Sequence, residues 1–497
     1  MSVPEANPVP ASAPSAVPTR APLEAIDRSC RWPVLVLVLL AAGWLVTGGL
    51  LAVLAAVKLH APGLLAQHAW LTYGRVQPAA WNALVFGFAS LAGLALALWM
   101  TARLSGAPLR GGGFIILGAL VWHLGLKLGL LGILAGESAG LEGLELPPYA
   151  SPLLLLGNLL MAPWALLTFA RRVEPEAYVA QWHLLAALLV FPWVFAAAHL
   201  AVVFLPLRGV LQAAAQAWYL QNLQLLWLGF LGLAAVFYFV PKLTGAALPS
   251  RSLALFGFWT LLGFGSLAGM TRYAGGPFPA WMTSVAAPAG VLTLFGVYAV
   301  AVNVGGALRG QGARLRESVV LRFVALAWVV FLVVGVIGAV NSLIAVRRLT
   351  QFTLITPGLD QLTLRGVCGL ALLGALYFMV PRLLGLPWPA PALARAHFYL
   401  AAAAVLVLGG AFLVGGLVHG AALNDPETGF IQVVRRYLPF ASTGTLAHLL
   451  WLAGAVLFAL NLLLALVRCF RQAAQPVLAA WTAAAPAAAA QPAEVKP

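Results

Sequence analysis

The sequence predicts an all-α polytopic membrane protein of about twelve transmembrane helices. Three observations carry that prediction. The chain has 497 residues, of which 62% are hydrophobic and 8% charged, and its mean hydropathy is +0.96. A soluble domain is nearer half apolar and a quarter charged. The apolar residues are also gathered into runs long enough to cross a bilayer, which takes about 20 residues. Finally, the cations sit at the ends of those runs.

In order, the runs cover 34–56, 80–101, 113–134, 151–170, 181–204, 219–243, 253–273, 281–305, 321–346, 361–385, 397–422 and 446–470. The first follows a segment rich in Ala, Pro, Ser and Val with no apolar core before Trp32. That composition predicts a disordered tail rather than a cleaved signal peptide. The second run opens just past Pro78, and the third follows the flexible turn Gly111-Gly112-Gly113. The sixth ends in Tyr238-Phe239-Val240-Pro241-Lys242 and the tenth in Tyr377-Phe378-Met379-Val380-Pro381-Arg382. Each reads as a helix that stops at its proline, with a cation just beyond. The expected organisation is a tail over 1–31, a membrane domain over 32–472 and a second Ala/Pro-rich tail over 473–497.

The net charge of +15 reflects topology and not a nucleic-acid partner. With the N-terminus in the cytoplasm, Arg103, Arg110, Arg171, Arg172, Lys242, Arg251 and Arg382 lie inside with most other cations. Lys58, Arg75, Arg208, Arg272, Arg347, Arg348, Arg435 and Arg436 lie outside, as do Glu137, Glu142, Glu145, Asp425 and Glu427. This asymmetry predicts both termini in the cytoplasm. Cys30, Cys368 and Cys469 form no CxxC pair, so neither a disulfide framework nor a zinc site is expected. Nucleotide-binding, protease and hydrolase motifs are absent from the sequence.

The paired Val-Pro-cation endings, with four further phrases in order, resemble the cbb3-type branch of the haem-copper oxidase subunit I family. In the first phrase, Gly74-Arg75-Val76-Gln77-Pro78 precedes Ala80, with Asn82 beyond. In the second, Gln221-Asn222 leads to Phe239-Val240-Pro241-Lys242. The third runs from Phe258-Trp259 through Ala268-Gly269-Met270-Thr271-Arg272 to Pro279-Ala280-Trp281. The fourth is Gln351-Phe352-Thr353-Leu354-Ile355-Thr356-Pro357-Gly358-Leu359-Asp360-Gln361. The resemblance covers most of the chain, from about Tyr73 onward, and implies a twelve-helix subunit I bundle.

It also implies haem and copper ligands, and there this chain departs from the family. The low-spin haem ligand positions fall on Ala80 and Gln361, and the high-spin position on Leu359. The copper positions fall on Gln221, Thr271 and Arg272, and the redox tyrosine on Gly265. Alanine and leucine have no lone pair for iron. Glutamine is a poor copper ligand beside imidazole, and arginine stays protonated. The expectation is therefore a pseudo-oxidase without cofactors.

Eight histidines remain. His60 and His68 are expected in an outer loop, and His183 and His397 at cytoplasmic helix ends, as amphipathic interfacial side chains. His123 with His448, or His199 with His448, could provide a bis-imidazole haem site, and His419 lies at a similar depth. The intramembrane charges Lys127, Arg272, Asp360 and Arg365 need partners. Lys127 is expected to reach toward Glu137, and Arg272 to pair with Asp360 across the cavity. The leading reading is a non-catalytic subunit, scaffold or assembly partner in a bacterial inner membrane, with the lipid bilayer and other membrane subunits as partners. A haem-binding redox subunit using non-family histidines and a proton or anion conduit are the two other readings.

Overall fold

The structure is a computed structural model that describes residues 20–484 except Pro206. The predicted tails over 1–19 and 485–497 lie outside the described residues. Twelve helices are long and apolar enough to cross a membrane. They are α1 (Leu23–His60), α2 (Tyr73–Ser105), α3 (Gly112–Ala135), α4 (Ser151–Ala170), α5 (Val179–Phe204), α6 (Val210–Thr244), α7 (Arg251–Tyr273), α8 (Ala280–Leu308), α9 (Val319–Asn341), α10 (Ile355–Leu384), α11 (Pro391–Leu423) and α12 (Phe430–Pro476). A short helix, Ile344–Thr350, lies between α9 and α10.

The sequence places the first helix too late. Residues 23–31, assigned to a tail, already belong to α1. Ile26 and Cys30 are fully buried, and Asp27 is held by Trp99 Nε1 at 3.0 Å and by Arg103 at 3.4 Å. Those contacts anchor a polar first turn that hydropathy alone cannot see. At the other end, the twelfth helix continues to Ala484, well past the expected boundary at 472.

Three helices form the centre of the bundle. The most apolar windows of α2, α6 and α10 are almost wholly covered by protein, while those of the other nine are about half buried. Each central helix contains a π-helical stretch, at Ala83–Ala89, Leu223–Gly229 and Leu362–Gly369. π-turns are rare and concentrate at functional sites. Here each follows directly on a phrase that carries the family resemblance.

The two Val-Pro-cation endings meet in the core. Phe239 and Phe378 are 5.0 Å apart between ring centroids, and Trp99 of α2 packs against both. The helices do not stop at their prolines. They run on to Thr244 and Leu384 and end in left-handed glycines, Gly245 and Gly385. A proline inside a helix frees the carbonyl four residues before it. Both freed carbonyls find an aromatic donor. The Tyr178 hydroxyl donates to Phe237 O at 3.0 Å, and Trp388 Nε1 donates to Tyr377 O at 2.8 Å. These donors allow the last turn to survive its proline.

His183 and His397 are not the amphipathic, water-facing side chains expected near helix ends. Both are buried among aromatic rings, His183 against Phe230, Phe237 and Phe258, and His397 against Phe323, Tyr377 and Phe458. The Tyr377 hydroxyl lies 2.9 Å from His397 Nδ1. Aromatic neighbours and one hydrogen bond make a buried packing site for a neutral imidazole.

The short helix Ile344–Thr350 sits against α11 at Gly420. A Cβ there would come within 1.9 Å of the Leu349 carbonyl oxygen, a backbone atom with little freedom to move. Gly420→Ala is expected to cost about 1–3 kcal/mol or more by overpacking. Gly410→Ala on the same helix, where a Cβ meets nothing within 4 Å, is expected to be neutral. Thermal unfolding of the two variants in detergent checks the contrast.

Candidate functional site

Two cavities flank α10 and divide the six positions singled out in the sequence. Gln221, Thr271, Arg272 and Leu359 line the smaller one, of about 170 Å³, between α6, α7, α8, α9 and α10. Ala80 and Gln361 line the larger one, of about 560 Å³, between α1, α2, α10, α11 and α12.

The smaller cavity carries a charge cluster. The last turn of α7 tightens into a 3₁₀ helix over Ala268–Tyr273, which brings Thr271 and Arg272 to the cavity wall. Arg272 Nη2 donates to Asp360 Oδ2 at 2.8 Å and to both Glu142 oxygens at 3.1 and 3.0 Å. The structure thus brings Arg272 and Asp360 together and adds Glu142, an acid of the α3–α4 loop. Arg347, from the short helix, donates through Nε to Thr271 O at 2.9 Å. Burial, and then the like charge of Arg272, pulls Arg347 down to about 10, so it remains a cation at neutral pH. Two cations and two anions therefore balance around this site. Gln221 Nε2 donates to Gly265 O at 3.2 Å, while the buried Gln224 amide has neither atom paired within the protein. The arrangement can solvate water or a small ion.

The larger cavity is lined mainly by apolar side chains, with Arg365, His448 and His419 also in its wall. Arg365 donates to Gln361 Oε1 and lies over the Trp451 ring at 5.9 Å. His419 stacks on Tyr437 at 4.8 Å. The histidines expected to pair across the bundle are dispersed. His123 Nδ1 accepts from Trp44 Nε1 at 3.0 Å, and His199 hydrogen-bonds its own helix at Phe195 O. Neither borders the cavity that His448 lines. Among the described residues, no three His, Cys, Asp or Glu side chains cluster in a metal-binding arrangement.

Lys127 does not reach Glu137. It is exposed on the outside of α3, and none of the four ion pairs among the described residues includes it. Glu137 instead accepts from the Tyr149 hydroxyl at 2.7 Å. The other loop acid, Glu145, is buried and accepts from Asn82 Nδ2 at 3.0 Å. Burial outweighs that hydrogen bond and pushes its carboxyl from 4.5 up to about 7. Glu145 thereby docks the α3–α4 loop on α2. Its spacing in a short polar loop gives no sign of that role.

Residues 33–458 match the family described as Cytochrome C and Quinol oxidase polypeptide I. Cytochrome c oxidase subunit 1 of Rhodobacter capsulatus is 28% identical over 441 residues, covering 84% of this chain and 82% of that protein. The Cbb3-type cytochrome c oxidase subunit CcoN1 of Stutzerimonas stutzeri is 25% identical over 436 residues, covering 84% and 91%. A cryo-EM structure of a heme-copper terminal oxidase dimer superposes with TM-score 0.67 at 16% identity, covering 89% of this chain and 84% of that one, and shares the fold. The twelve apolar helices, the central trio and the match over nearly the whole membrane domain make this chain an integral membrane protein of the cytochrome c and quinol oxidase subunit I family.

Proposed function

We propose that this oxidase subunit I-like protein is a non-catalytic membrane subunit, a scaffold or assembly partner of a membrane complex. The donor set around the two cavities supports this reading. Dioxygen reduction uses haem iron, copper and a proton-electron donor within bonding reach of one another. At the six positions that match the family's histidines, the side chains are a methyl, two amides, a hydroxyl, a guanidinium and an isobutyl group. Gly265 stands at the tyrosine position. The Gln221 amide is committed to Gly265 O, and the Gln361 carbonyl to Arg365. Arg272 is held between two carboxylates and would repel a copper ion. Haem and copper do not fit this donor set.

Exposed Lys127 supports a partner subunit. A cation within a spanning helix costs roughly 2.5–3.5 kcal/mol on insertion scales unless it is compensated. A neighbouring helix that presents a carboxylate would compensate it. In this reading both termini face the cytoplasm of a bacterial inner membrane. Purified from its native membrane, the protein is expected to contain near-zero haem and copper and to bring other membrane subunits with it. Stoichiometric copper by elemental analysis would overturn the reading.

The charge cluster at the smaller cavity favours a second reading, a proton or anion conduit. It predicts proton or anion flux in proteoliposomes that Asp360→Leu abolishes. A flux indistinguishable from empty vesicles would remove it.

A further inference from the structure

We propose that the larger cavity binds a membrane-soluble, single-chain carboxylic acid, with its head group against Arg365 and its apolar body along α1. This inference rests on the cavity and its own side chains, and holds whether or not the chain is part of a complex.

Arg365 is the central observation. It is 3% exposed and none of the four ion pairs among the described residues includes it. It donates to the neutral Gln361 amide and lies over the face of Trp451, and its Nε has no acceptor. A cation this deeply buried calls for an anion. A guanidinium presents a planar fork of donors that matches a carboxylate bidentately.

The neighbouring polar atoms point to the same end of the cavity. His448 lines it from α12, and its Nδ1 has no partner. Trp451 lies three residues further along the same helix, hence on the same face as His448, and its ring meets the Arg365 guanidinium. Trp81 lines the cavity from α2, and its Nε1 is also unpaired. A carboxylate with two oxygens could satisfy Arg365 and one of these further donors.

The rest of the cavity suits an apolar body. The α1 wall is Ala52, Ala55 and Ala56, a strip of small side chains, with Leu59 beyond it. The volume of about 560 Å³ falls within the roughly 300–1,000 Å³ of small-molecule sites. Phe352 and Phe430 border the cavity and are each 79% exposed. Phe352 also has a φ of 62°, a left-handed conformation that bulky side chains rarely adopt. Two exposed aromatic rings beside an apolar cavity are suited to guiding a hydrocarbon chain.

Photolabelling tests the proposal on the full-length protein in detergent, with a diazirine-bearing palmitate and its methyl ester as probes. The acid is expected to label peptides of α10 or α12 saturably. The ester should label them at least about tenfold less, because it loses a charge-assisted hydrogen bond. Arg365→Gln should reduce acid labelling to the level of the ester. That variant removes a cation without stranding a carboxylate, so it should still elute as a folded species on gel filtration. Ala56→Trp fills the apolar wall and should reduce labelling by both probes. Equal labelling by acid and ester, undiminished labelling of either variant, or stoichiometric haem in the purified protein would overturn the proposal.

Discussion

Arg272→Met is expected to lower the unfolding free energy by about 3–5 kcal/mol, the range measured when one member of a buried ion pair is removed. Two carboxylates lose their shared cation in that variant, Asp360 at 2.8 Å and Glu142 at 3.0 Å. The side chain of Asp360 is only 13% exposed, whereas that of Glu142 is 51% exposed. Water therefore screens Glu142 in the variant, and the loss falls mainly on Asp360. Asp360→Leu should be milder, at about 1–3 kcal/mol, because Arg272 keeps its contact with Glu142. The double variant should recover much of the larger loss, since neither buried charge is then stranded. Thermal or denaturant unfolding of all four proteins gives the coupling directly. Strict additivity of the two single losses would mean that the contact contributes nothing.

Glu145→Gln is expected to flatten the pH dependence of stability and to stabilise the protein above neutral pH. The folded carboxyl titrates near 7 and the unfolded one near 4.5, because burial disfavours the charged form. Between those values the folded state binds more protons than the unfolded state. Stability is therefore highest below about 4.5 and falls as pH rises through 7. The loss amounts to roughly 3 kcal/mol at full ionisation, taking 1.36 kcal/mol per pKa unit. The amide keeps the hydrogen-bond acceptor for Asn82 and has no charge to desolvate. Melting temperatures of wild type and variant at pH 4 and pH 8 should diverge mainly at pH 8. A wild-type protein equally stable at both values would contradict the burial argument.

Much of the fold was legible in the sequence because a bilayer imposes a simple rule. Apolar runs of sufficient length become helices, and all twelve runs did so. The approach of Arg272 to Asp360 was legible through the order and spacing of the resemblance phrases. Features decided by three-dimensional packing were not. Glu142 and Glu145 look alike as acids of one loop, yet one bonds Arg272 and the other is buried against Asn82. His183 and His397 lie near helix ends in the sequence, but the surrounding aromatic rings bury them. The survival of α6 and α10 past their prolines depends on Tyr178 and Trp388, donors from outside the turns they support. Lys127 stands one helical turn from His123, which bonds Trp44 of α1, but hydropathy does not say that Lys127 itself points out of the bundle.

The π-helical stretch in α10 gives that helix one place where its length can change without turning its ends. In a regular helix each residue advances 1.5 Å and turns about 100°. Leu362–Gly369 lies between Asp360 and Gln361, which face the two cavities, and Tyr377, Phe378 and Pro381, which lock the core. A π-turn closes over one residue more than an α-turn, so removing one residue from this stretch would restore regular winding and leave the two halves nearly in register. The same deletion in the regular turns between Leu370 and Pro381 would rotate one half against the other by about 100°. Either Asp360 would then swing away from Arg272, or the aromatic lock would open. Single-residue gaps among relatives should therefore fall within Leu362–Gly369 and not in the regular turns that follow it.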